Sequence, residues 1–84
     1  MLLSAQIRAA RALLDWRQED LAKASKTGLA TIARIEQMQG AAQGHVSTII
    51  RIQAALVRAG IRFIEADGGG FGVVLEMKKR PHRR

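Results

Sequence analysis

Cysteine is absent from this 84-residue sequence. That excludes a disulfide framework and thiolate metal sites, leaves stability to packing alone, and fits a reducing compartment. Long apolar runs are absent as well: none approaches a membrane span. The opening Met1-Leu2-Leu3-Ser4-Ala5-Gln6-Ile7-Arg8 also lacks the basic segment and apolar stretch of a secretory signal. No membrane attachment is expected, and the default location is the cytoplasm. Histidine is scarce, limited to His45 and His82, and no Ser/His/Asp set or carboxylate pair falls naturally on one face, so catalysis is not expected. Acidic residues are few, 7 against 14 Lys and Arg, for a net charge of +7. Such an excess favours an anionic partner: nucleic acid, an acidic membrane surface or an acidic protein. A chain this short buries only about 60–65% of its unfolded surface, enough for one small domain but not for a deep substrate cavity, and pairing with a second copy would add buried area.

The charge is unevenly placed. Residues 1–60 carry eight basic and four acidic side chains, a net of +4. Residues 61–77 carry Arg62 against Glu65, Asp67 and Glu76, a net of −2. The last seven residues, Lys78-Lys79-Arg80-Pro81-His82-Arg83-Arg84, carry +5 and no apolar side chain, so they are expected to form a disordered basic tail. The domains expected are therefore 1–60, 61–77 and 78–84.

Apolar spacing in the first zone predicts four helices. Ile7, Ala10, Arg11 and Leu14 recur at i, i+3, i+4 and i+7 behind a Ser4 N-cap, giving an amphipathic helix over residues 4 to about 15. A second starts near Gln18, where Glu19 and Asp20 suit the positive end of the dipole, Trp16 can staple onto Leu21, and Leu21, Ala22 and Ser25 turn inward. Lys26-Thr27-Gly28 interrupts before Leu29-Ala30-Thr31-Ile32-Ala33-Arg34-Ile35-Glu36 resumes the period, with Ile32 and Ile35 as its inner pair. Two short helices joined by a tight glycine-containing turn predict a helix-turn-helix. After a loop bracketed by Gly40 and Gly44, a fourth helix runs from about Val46 or Ser47 to Ala59. Ile49 or Ile50, Ile52, Ala55, Leu56 and Ala59 form its inner face, and Gly60 follows as the terminating glycine.

Arg11, Gln18-Glu19-Asp20-Leu21-Ala22 and Thr31-Ile32-Ala33-Arg34-Ile35-Glu36 together resemble the Cro/phage-repressor (XRE) helix-turn-helix family over roughly residues 5–60. The resemblance implies a mainly α fold: a four-helix, lambda-repressor-like DNA-binding domain, followed here by a β-hairpin and a basic tail. It also implies an internal ion pair between Arg11 and Glu36. The sequence departs from the family at Arg17, Lys26, Thr27 and Gly28, and a lysine at the turn position that favours positive φ costs about 1 kcal/mol or more.

With Ile32 and Ile35 inward, Leu29, Ala30, Ala33, Arg34 and Gln37 lie near the outer surface of a recognition helix over about residues 28–37. Leu29, Ala30, Ala33 and Arg34 are the candidate base contacts. Arg34 suits a bidentate pair with guanine, and Leu29 and Ala30 suit thymine methyl groups. Arg17, Gln18, Lys26, Thr31, Gln43, His45 and Ser47 are candidate phosphate contacts, which position without specifying. The alternatives stay open: Leu29 packed on the second helix, and Arg34, Arg17 and Lys26 as ordinary solvated charges.

Beyond Gly60 the period changes to that of strands. Ile61-Arg62-Phe63-Ile64-Glu65 and Gly72-Val73-Val74-Leu75-Glu76-Met77 flank Ala66-Asp67-Gly68-Gly69-Gly70-Phe71, which predicts a β-hairpin. No Lys-Ser/Thr follows the glycines and dinucleotide spacing is missing, so neither a nucleotide nor any other cofactor or metal is expected. A lone hairpin leaves unpaired edges, so Ile64, Val73, Val74, Leu75 and Met77 are expected at a homodimer interface, the alternative being packing on the chain's own helices. The function expected is a sequence-specific transcriptional regulator of double-stranded DNA, a homodimer on an inverted repeat. The competing reading is a protein-interaction module such as an antitoxin or anti-activator, with another protein as partner.

Overall fold

In a computed structural model, which describes residues 1–77, the first helix opens without the hydroxyl cap that its sequence suggests. Ser4 is the first residue of α1 (Ser4–Leu14), and its buried hydroxyl donates to the Ile35 carbonyl at 2.7 Å. Leu3 holds the cap position, and its N–H donates to the Gln6 side-chain oxygen at 2.9 Å. The cap expected at Ser4 is therefore moved by one residue, because a tertiary acceptor takes its hydroxyl. The second helix, α2 (Gln18–Ser25), opens in a similar way: the Arg17 N–H donates to the Asp20 carboxylate at 2.8 Å. Two further helices, α3 (Leu29–Glu36) and α4 (Val46–Arg58), complete the helical part.

The short turns between helices hold two non-glycine residues at positive φ, Asp15 at 58° and Lys26 at 54°. Aspartate tolerates that region; lysine does so at a cost. The longer segment between α3 and α4 is tied to the start of the chain. Ser4 N–H donates to the Gly40 carbonyl at 3.0 Å, and Ala42 N–H to the Leu2 carbonyl at 2.8 Å.

Helix α2 packs against both α3 and α4, while α1 packs against α3 and the second strand. Between them Ile7, Ala10, Leu21, Ile32, Ile35, Ile52, Ala55, Leu56 and Ile61 form a continuous apolar core. Each large aliphatic side chain fully buried there contributes about 1.5–3 kcal/mol of transfer free energy. On α4 it is Ile49 that packs toward this core, and Ile50 is exposed. Trp16 packs at the core's margin.

Strands β1 (Ile61–Ala66) and β2 (Gly70–Leu75) pair antiparallel, with Ile61 opposite Leu75 and Phe63 opposite Val73. The turn is tighter than the glycine-rich sequence suggests. Gly68 and Gly69, at φ 87° and 94°, close it within Asp67-Gly68-Gly69, so Ala66, Gly70 and Phe71 join the ladder, and Met77 lies beyond the end of β2. Alternation then decides the faces. Ile61, Phe63, Val73 and Leu75 pack on the helical core, while Arg62, Ile64 and Val74 lie on the opposite side. Of the residues expected between two copies, Val73 and Leu75 are thus turned to the chain's own core; Ile64 and Val74 are half-buried on the outer face and Met77 is exposed. The tail expected at 78–84 lies outside the described residues.

One polar side chain fastens the hairpin. Gln6, buried on α1, donates its amide to the carbonyls of Gly72 at 2.9 Å and Ile64 at 3.2 Å, while its oxygen accepts the Leu3 N–H. Gly60, between α4 and β1, has φ 113°, and a Cβ there would lie 3.1 Å from the Glu76 carbonyl oxygen and 3.2 Å from Leu75. Its own carbonyl accepts the Glu76 N–H at 2.8 Å. Gly60→Ala is expected to destabilise the fold by about 1–3 kcal/mol through this strain, lowering Tm by about 4–8 °C per kcal/mol in a thermal melt.

Candidate functional site

The exposed side of α3 is set by what its other side buries. Ile32 and Ile35 are enclosed in the core, which turns Leu29, Ala30, Arg34 and Gln37 to solvent and leaves Thr31 and Ala33 half-buried at the margins. Leu29 is 43% exposed, so it does not pack away on α2. Gly28, extended at φ −63° and ψ 145°, holds the cap position of α3 without a side-chain bond to its first N–H groups. Among the described residues Arg34 makes no ion pair.

Behind this surface lies a buried carboxylate. Glu36, 3% exposed at the last turn of α3, accepts Arg11 Nε at 2.7 Å on one oxygen and Arg11 Nη2 at 2.8 Å on the other. The third guanidinium nitrogen, Nη1, donates to the Trp16 carbonyl at 2.9 Å, and Gln18 Nε2 donates to Glu36 Oε1 at 3.1 Å. Arg8 donates to the Glu36 backbone carbonyl. Planar bidentate geometry of this kind is the strong form of a charged hydrogen bond. It holds the Arg11 guanidinium above its already high ordinary pKa, chiefly through the hydrogen bond to Glu36 and against the opposing pull of burial. The stabilisation that follows is present in full below the ordinary value and is lost only as pH rises past the raised one.

The structure therefore brings Arg11, Gln18 and Glu36 together at one buried point, joining the start of α2 to the end of α3. Gln18, expected at a phosphate, has one amide hydrogen engaged with Glu36. Arg17 stands exposed beside Asp20 at 3.9 Å, a solvated pair worth about 0–1 kcal/mol at most. Lys26 is exposed in the turn between α2 and α3, and Gln43, His45 and Ser47 are exposed around the start of α4, with His45 at its cap position.

Several contacts were not legible from spacing. Arg51 Nε reaches the Ser25 carbonyl at 3.3 Å and Arg58 Nη2 the Ala24 carbonyl at 3.4 Å, so both arginines of α4 serve the negative end of α2. The only local signal is charge: cations on a helix facing another helix's last carbonyls. The link from Gln18 to Glu36 spans 18 residues and carries no local signal.

Among the described residues there is no group of three or more His, Asp or Glu side chains placed to hold a metal ion, and no helix long and apolar enough to cross a membrane. Comparison of the chain with protein-family models, with curated proteins and with solved structures finds no match.

Glu36→Ala leaves Arg11 uncompensated and is expected to destabilise the fold by about 3–5 kcal/mol in a denaturant titration; a loss under about 1 kcal/mol would show that solvent replaces the carboxylate without cost. Lys26→Gly removes the positive-φ strain of a lysine and is expected to leave the protein more stable by up to about 1 kcal/mol, read as a higher Tm.

Proposed function

We propose that this protein is a sequence-specific regulator that binds double-stranded DNA through α2 and α3, a helix-turn-helix of the Cro/phage-repressor kind, with α3 in the major groove. The observation that carries the reading is the two-sidedness of α3: Ile32 and Ile35 are buried, while Leu29, Ala30 and Arg34 are offered to solvent on a helix whose far end is clamped by Arg11, Gln18 and Glu36. A base reader has to be exposed and held in a fixed pose at once.

In this arrangement Arg34 donates to a guanine edge, Leu29 and Ala30 lie against thymine methyl groups, and Ala33 is the remaining base-contact position. Arg17, Lys26, Thr31, Gln43, His45 and Ser47 hold phosphates together with the first backbone N–H groups of α2, which include that of Gln18. The net +4 of residues 1–60 supplies the long-range attraction, whose salt dependence follows the number of phosphates neutralised. Two copies on an inverted repeat would set their α3 helices about 34–36 Å apart on one side of the duplex.

Selection of bound duplexes from a random pool tests the proposal. The expected result is a palindromic consensus, with Arg34→Ala losing preference for one guanine per half-site and binding a single half-site about 5–150-fold more weakly, equivalent to about 1–3 kcal/mol. Failure to enrich any sequence would overturn the reading and move weight to a protein-interaction module.

A further inference from the structure

Helix α4 carries two apolar stripes, and folding consumes only one. Ile52, Ala55 and Leu56 lie in the core, yet Val46, Ile50 and Val57 remain 74%, 59% and 51% exposed. With Gln53, also exposed, these positions follow one another at spacings of four, three and four residues. At 3.6 residues per turn they fall within about 60° of arc, a straight seam about 16 Å long of the kind that packs against another helix.

We propose that this seam is the surface through which two copies of the chain associate, α4 against α4 about a two-fold axis. Three observations select a second copy as the occupant. The spacing reads the same in both directions, so an antiparallel pair sets Val46 opposite Val57 of the other copy and Ile50 opposite Gln53, each seam residue meeting another seam residue, as an isologous interface requires. Charge is missing from the seam: α4 has no acidic residue, and its two arginines, Arg51 and Arg58, bond to α2 carbonyls. Uncharged surface of this sort suits the centre of a protein interface and offers nothing to a nucleic acid or a charged peptide. Finally, α3 and α4 make little contact with each other, so joining two α4 helices leaves both α3 surfaces open.

The hairpin contributes less here than its sequence suggests, since Val73 and Leu75 face the chain's own core. A seam this short belongs with interfaces below about 1,200 Å², which associate weakly and reversibly. A reversible dimer is expected at micromolar concentration and above, and DNA bearing two half-sites raises its population by linkage.

The inference rests on the two-copy arrangement proposed above, but its test needs no DNA. Sedimentation equilibrium from micromolar to submillimolar concentration is expected to give a monomer–dimer equilibrium for the wild type. Ile50→Glu is expected to weaken it at least tenfold with an unchanged circular dichroism spectrum, while Arg34→Ala leaves it intact. A wild type that stays monomeric, or an Ile50→Glu dimer as strong as wild type, overturns the proposal. Because the described residues and the tail contain no cysteine, an equimolar mixture of Val46→Cys and Val57→Cys chains gives a second reading that does not depend on a destabilising change. Under mild oxidation the mixed disulfide should exceed each like-with-like product well beyond the twofold ratio that random pairing gives; a ratio of about two or less overturns the antiparallel register. A monomeric Ile50→Glu chain that still selects a half-site would separate loss of the dimer from loss of DNA recognition.

Discussion

The rest of the structure depends on one buried carboxylate. Glu36 cannot be taken out of water alone, and the molecule surrounds it with a bidentate guanidinium and a side-chain amide. Acceptor and donors each come from a different place: Glu36 from the last turn of α3, Arg11 from α1, and Gln18 from the first residue of α2. An apolar trio at the same point would bury more cheaply but would not fix direction, because apolar contact tolerates sliding and rotation. Hydrogen bonds to two separate carboxylate oxygens do not. The pose of α3 relative to the first two helices is thereby set by polar geometry, over a core of Ile7, Leu21, Ile32 and Ile35 that supplies the bulk of the cohesion.

How far the sequence could be read depended on whether a residue's decisive partner was near in the chain. Helix bounds followed from the apolar period and from local breaks at Lys26-Thr27-Gly28 and Gly60, and the buried pair Ile32 and Ile35 followed with them. The order of four helices and then a hairpin was legible for the same reason. At Ser4 the local pattern misleads: a hydroxyl before an apolar period suits a cap, whereas its acceptor is a carbonyl 31 residues away. Ile49 and Ile50 were indistinguishable by period, since adjacent positions flank the same stripe, and only the packed partner separates them. On the candidate site, the exposed side of α3 is the complement of its buried side and could be derived. The engagement of Gln18 with Glu36 could not, and the pairing of Arg11 with Glu36 was suggested by resemblance and not by spacing.

Charge distribution sharpens with the fold in hand. Arg11 is neutralised internally, Arg51 and Arg58 lean on the carbonyl end of α2, and Arg62 pairs with Glu76 on the hairpin. What remains without an acidic partner among the described residues includes Arg34 on α3 and Lys26 in the turn before it. The internal contacts leave the net charge unchanged but fix which cations are engaged and which are free to meet a partner. Arg34 and Lys26 lie on or beside the exposed side of α3.

The Gln6 amide links residues 58 and 66 positions apart, stitching α1 to both strands at once. Opening the hairpin requires breaking those two bonds together, and the oxygen of the same side chain secures the N–H that starts α1. Local unfolding of the hairpin and fraying of the first turn of α1 are therefore coupled motions, drawn from a single cooperative unit. In amide hydrogen exchange, β1, β2 and the first turn of α1 should share one opening free energy, distinct from that of α2 and α3, although they lie at opposite ends of the described chain.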